Sequence, residues 1–266
     1  MTYAGFVWKN NRGFLAFALI VVALFQFLLL RVVTSFEIPP IIHSALEGMP
    51  EAVRKVVGQD ALSMLTVRGA AAFGFNHPLV LVIMAIAAIM IPARHIAGEV
   101  ENGTLELLLS LPIARVTLLL KLFATTALFL LIITAAGLAS SLGSVAVFDR
   151  LSADTALRLA GIACNLWLLF TFVASMALLL STFGKETNPV ALRAAGVTLV
   201  FYLLHFLSSM WDALAFTQPF NVFTYFQPTA LMSGERSLGL HAAVLVVLIV
   251  VLAAVSAFQF DRRDVP

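Results

Sequence analysis

Long apolar runs separated by short polar stretches dominate this chain. The runs occupy residues 14–33, 78–93, 116–148, 159–183, 194–211 and 237–260. Each is close to or beyond the length an α-helix needs to cross a hydrocarbon layer of about 30 Å. The pattern therefore predicts an all-α fold with six transmembrane helices. The polar stretches predict smaller elements. In residues 1–12, helical spacing places Tyr3, Phe6 and Val7 on one face, beside Lys9 and Arg12. That is the pattern of an N-terminal interfacial helix on a membrane surface. Residues 34–76 read as an extracytoplasmic loop. Its short helices are expected to open at Pro50 and to be capped by Asp60. Residues 212–236 hold Phe216, Pro219, Phe220, Phe223, Tyr225, Phe226 and Pro228. They predict a broken helical hairpin between spans five and six, dipping into the outer leaflet and covered by protein.

Composition strengthens the membrane reading. Hydrophobic residues make up 61% of the chain and charged residues 11%, against about 25% charged in soluble domains. A soluble domain could not bury that much apolar surface. The spans and loops account for all 266 residues, so one transmembrane domain is expected. A net charge of +2 gives no reason to expect nucleic acid. Cys164 stands alone in an apolar run and reads as a small packing residue. The first run reads as a span rather than a cleavable leader. The distribution of Lys and Arg favours both termini in the cytoplasm of a multi-pass cell-membrane protein, because Arg54, Lys55 and Arg68 fall in a long loop where the positive-inside rule is weak. Gly137 with Ser141, and Ala139 with Gly143, have the small-residue spacing of close helix packing.

The segment linking spans two and three, residues 94–115, is the richest in chemistry. Glu99 and Glu101 mark the membrane exit, and Asn102-Gly103 is a turn signal. Thr104 suits a helix N-cap, and Pro112 ends the helix that follows. In that helix Leu105, Leu108 and Leu109 share one face, while Glu106 and Ser110 share another. A short amphipathic helix of this kind docks into a groove on a soluble partner or lies on lipid headgroups. The pattern alone leaves both open.

Residues 99–115, Glu-Val-Glu-Asn-Gly-Thr-Leu-Glu-Leu-Leu-Leu-Ser-Leu-Pro-Ile-Ala-Arg, resemble the signature loop of the type-2 ABC exporter permeases. The chain is most similar to stand-alone permeases without a nucleotide-binding domain of their own. The resemblance implies a coupling helix that inserts into a nucleotide-binding ATPase subunit. Glu99, Glu101, Gly103, Thr104, Glu106, Leu108, Pro112 and Arg115 would form the transmission site. Lys185 and Glu186, in the turn over residues 183–193, would make a second contact. It further implies a second permease chain, as a homodimer or pseudo-dimer. ATP and magnesium would sit on the partner ATPase, and this chain would carry no cofactor and no catalysis.

Other readings fare less well. Gly184-Lys185 lacks the rest of a phosphate-binding loop, since Leu179 and Glu186 occupy the positions that need Gly and Ser or Thr. The span centres are almost free of charge, which weakens an ion-driven transporter and suits an apolar or amphipathic cargo. Gln26, Asn165 and His205 read as interhelical hydrogen-bonding groups. A membrane scaffold or cofactor-handling subunit is the main alternative. It would rest on His77 and His241, both expected near the outer face, although no zinc-protease spacing is present.

Overall fold

The structure is a computed structural model that describes residues 3–35, 48, 66–105 and 114–263. Apolar side chains at nearly every position make helices here, because backbone groups in lipid must be satisfied within their own segment. Among the described residues the major helices are α1 (Tyr3–Ser35), α2 (Val67–Asn76), α3 (Pro78–Glu101), α4 (Arg115–Phe148), α5 (Ala153–Phe183) and α6 (Thr187–Met210). After two short 3₁₀ segments, Asp212–Phe220 and Val222–Tyr225, come α7 (Pro228–Ser233) and α8 (Leu238–Asp261). Six of these stretches are long and apolar enough to cross a membrane, with α2 and α3 together forming one of them. The all-α, six-span expectation holds.

The spans run alternately between two ends of the bundle. One end carries Gly103 and Gly184; the other carries Phe148, Arg158 and Leu238. Helix α5 is the most enveloped span and packs against α3, α4, α6 and α8. Helix α1 runs alongside α4, where Ser140 Oγ donates to the Ala23 carbonyl at 2.6 Å. A Cβ at Gly137 would meet Val22 Cγ1 at 3.1 Å, so glycine brings the two helices close. Ser141 is buried along the same stripe. The Ala139–Gly143 pair instead faces outward. Trp167 Nε1 ties α5 to α4 through the Ala127 carbonyl at 2.9 Å. Exposed Phe17, Ile20, Val200, Phe206, Val247 and Val250 give α1, α6 and α8 apolar outer faces. Lipid is the solvent in which such faces cost nothing.

Three local readings change. The N-terminal segment is not a separate helix. Residues 3–12 belong to one 33-residue helix, about 50 Å long at 1.5 Å per residue. Tyr3 and Val7 are buried. The Tyr3 hydroxyl donates to the His95 carbonyl at 3.3 Å, and Asn11 Nδ2 lies 3.1 Å from His95 Nε2. These contacts hold the first turns against α3, and the helix runs on through Gly13 into the span. The second change is that the 34–76 stretch ends in the helix α2, whose Gly69, Ala70, Ala71, Ala72 and Phe75 are buried. His77 caps the following helix through Nδ1 and the Leu79 amide at 3.2 Å, with Pro78 in the first turn. The proline thus marks a joint within span two rather than its start. Finally, Cys164 is exposed rather than packed. The readings at Pro50 and Asp60 fall outside the described residues.

The stretch after span five has its expected broken character. Its backbone is secured by side chains of the spans and of the stretch itself. Asn165 Nδ2 donates to the Tyr225 carbonyl at 2.8 Å, and Asn221 Nδ2 to the Phe201 carbonyl at 2.7 Å. Gln218 Nε2 reaches the Ser208 carbonyl at 3.1 Å, and the Tyr225 hydroxyl reaches the Pro219 carbonyl at 2.7 Å.

Candidate functional site

At the Gly103 end, helix α3 stops with a defined geometry. Gly103 has φ +67°, a left-handed conformation that favours glycine. Its amide donates to the Val100 carbonyl at 3.0 Å, and the Thr104 amide donates to the Glu99 carbonyl at 2.9 Å. This pair of bonds is a Schellman ending, which satisfies carbonyls that a helix C-terminus otherwise leaves open. The Thr104 hydroxyl also donates to the Glu99 carboxylate. Thr104, expected as an N-cap, thus helps to close the preceding helix. Leu105 is buried immediately afterwards. Glu106, Leu108 and Pro112 lie outside the described residues.

Glu101 makes a long-range connection here. Its Oε2 accepts the Thr187 amide at 2.9 Å. Thr187 opens α6, whose own N-cap residue, Glu186, provides no side-chain capping bond. A carboxylate from a different helix supplies that cap, placed where the helix dipole favours negative charge. Gly98 allows this approach, since a Cβ there would lie 2.8 Å from Thr187 Oγ1. The two turns that the sequence assigned to one partner are therefore joined directly. Lys185 and Glu186 are exposed beside that junction. Gly184 is fixed by space rather than by φ, because a Cβ there would stand 2.0 Å from Val190 Cγ2.

Arg115 makes an internal contact at this end. Its Nη1 donates to the Arg263 carbonyl at 2.7 Å. Arg263 in turn donates through Nη2 to the Gly184 carbonyl at 2.7 Å and through Nη1 to the Ser181 carbonyl at 3.3 Å. Both acceptors are at the end of α5, where a cation is favourable. Arg115 thus serves an internal clamp. The role of Arg263 was not visible in the sequence, where the one hint was its basic position after the last span.

An apolar cavity of about 340 Å³ opens between α3, α5 and α6. Leu81, Val82, Ile89, Phe170, Tyr202 and Phe223 are among its walls. Its size is at the lower end of small-molecule pockets. His77 and His241, the residues of the cofactor reading, pack against aromatic rings, and His241 Nδ1 is buried without a hydrogen-bond partner among the described residues. The His77 ring lies 4.4 Å from that of Phe25, and the His241 ring 5.8 Å from that of Tyr225. Among the described residues no group of three or more His, Cys, Asp or Glu comes together in a way that would hold a metal.

Comparison with known families gives a match to the family described as ABC-2 family transporter protein over residues 12–265. A comparison with curated proteins gives no match.

Proposed function

The chain belongs to the ABC-2 transporter family, and we propose that it is a permease that exports an apolar or amphipathic cargo using ATP hydrolysed by a separate subunit. The Gly103 end is the cytoplasmic one in this reading, with both termini there. The loop from Glu99 to Arg115 holds the coupling helix, and the turn at Lys185 and Glu186 makes the smaller second contact. Two permease chains and two ATPase chains form the working unit. ATP and magnesium bind to the ATPase chains.

The observation that carries this reading is the bond from the Thr187 amide to Glu101. A push on either turn is transmitted to the other through this hydrogen bond and through the packing of Ala93 and Ala97 against Val190, so closure of the ATPase pair moves α3 and α6 together. Such coupling between two discrete arrangements is what an ATP-driven permease requires. The apolar cavity bordered by the same two helices supports an apolar cargo.

The test uses the chain with its ATPase in native-like membranes. Glu101→Ala is expected to leave the complex assembled and to lower permease-stimulated ATPase activity at least about fivefold, the lower range of allosteric coupling. Leu108→Arg is expected to abolish co-purification by placing a charge in the docking groove. Intact assembly and unchanged stimulation in both variants would remove the coupling assignment.

A further inference from the structure

We propose that the furrow between α5 and α8, at the Arg158 end, is a binding site for an anionic phospholipid, with the phosphate held at an arginine rim and an acyl chain laid along α5.

The furrow encloses about 510 Å³. Its rim is polar. Arg158 Nε donates to Asp154 Oδ2 at 2.7 Å and Nη1 to the Met232 carbonyl at 2.9 Å, which fixes the guanidinium plane. Gly234, at φ +82°, leaves room for that group, since a Cβ there would stand 2.4 Å from Arg158 Nη1. Arg236 also lines the furrow. Within the described residues its side chain makes no hydrogen bond or ion pair. Among the residues that line the furrow Asp154 is matched to Arg158, so Arg236 supplies the surplus positive charge there, with the neighbouring Glu235 outside the lining. An anion complements that surplus, and arginine suits phosphate oxygens in particular.

Below the rim the wall turns apolar. Asp154, Arg158, Gly161 and Cys164 follow one another along one face of α5, and all four line the furrow. From Arg158 to Cys164 the path descends about 9 Å at 1.5 Å per residue, from the polar end of the helix towards hydrocarbon depth. The furrow has open space beside Gly161: the nearest atom to a Cβ there would be Leu238 Cδ2 at 3.9 Å. Cys164 is exposed. A free anion has no use for this apolar trench, whereas a phospholipid uses both parts. Contact with the trench gains little over contact with bulk lipid, so the charged rim sets the selectivity.

The test is native mass spectrometry of the full chain released from mixed micelles holding equal phosphatidylglycerol and phosphatidylcholine. We expect phosphatidylglycerol to be retained about fivefold over phosphatidylcholine, the factor for one basic residue at an anionic surface. Arg236→Gln should abolish that preference with no change in thermal unfolding, because Arg236 anchors no other described residue. Gly161→Leu should lower retention of both lipids by filling the trench. Equal retention in the unaltered chain, or a preference that survives Arg236→Gln, would overturn the proposal. So would glycerol phosphate competing as well as the intact lipid, which would mark a site for free anions. Cross-linking of two chains through Cys164 would also overturn it, by showing that a second copy covers the furrow.

Discussion

Gly103 and Gly184 show two different reasons for a glycine. Gly184 has an ordinary φ but no room for a Cβ beside Val190. Gly103 has open space around it but a backbone that side chains resist. Gly103→Ala should cost about 1 kcal/mol through the left-handed conformation. Because the loss is local, it should appear as about fivefold faster hydrogen exchange at the Gly103 and Thr104 amides, the two donors of the Schellman ending. Gly103→Asn should be milder, since asparagine tolerates this region better. Equal exchange in the alanine variant and the unaltered chain would show that the helix end does not depend on this glycine. The Thr104 hydroxyl turns back to Glu99, while the amides that it would receive as an N-cap lie outside the described residues.

Among the elements, Asn165 holds the broken segment against α5 through the Tyr225 carbonyl. Asn165→Leu keeps a similar volume and removes the donor. It should cost about 0.6 kcal/mol, the average for polar contacts between membrane helices, and should speed proteolysis within residues 212–236 while leaving other cleavage sites unaffected. Unaltered cleavage would mean that the segment is held by apolar packing alone. The spans themselves were legible because lipid allows few alternatives to a long apolar helix. Helix α2 was not. Its Ala and Gly residues carry little hydropathy, Arg68 and Asn76 interrupt the run, and Pro78 looked like a beginning. What makes α2 part of the bundle is burial against α1 and α7, which only the fold supplies. The same limit applied at the site. Gly103 could be read as a turn from its neighbours, but the Glu101 partner is 86 residues away and the Arg115 partner 148. Local spacing carries no information on such pairings.

At the scale of the whole molecule, the Gly103 end is closed by two ties of different kinds. Glu101 joins the end of α3 to the start of α6. Arg115 and Arg263 join the start of α4, the end of α5 and the residues that follow α8. The second tie is sequential: Arg115 needs the Arg263 backbone in place, and that backbone is placed by the Arg263 side chain on the end of α5. The two arginines are therefore expected to be coupled rather than additive. Arg263→Ala should lower stability by about 1–2 kcal/mol, for charge-assisted bonds discounted for partial exposure. Arg115→Ala should cost less. The double variant should fall within about 0.5 kcal/mol of Arg263→Ala alone, because the acceptor of Arg115 has already been released. Unfolding of the four proteins in detergent measures this cycle. A double loss equal to the sum of the single losses would show that the chain end stays in place without its side-chain anchor. The residues after α8 thus hold the start of α4 to the end of α5.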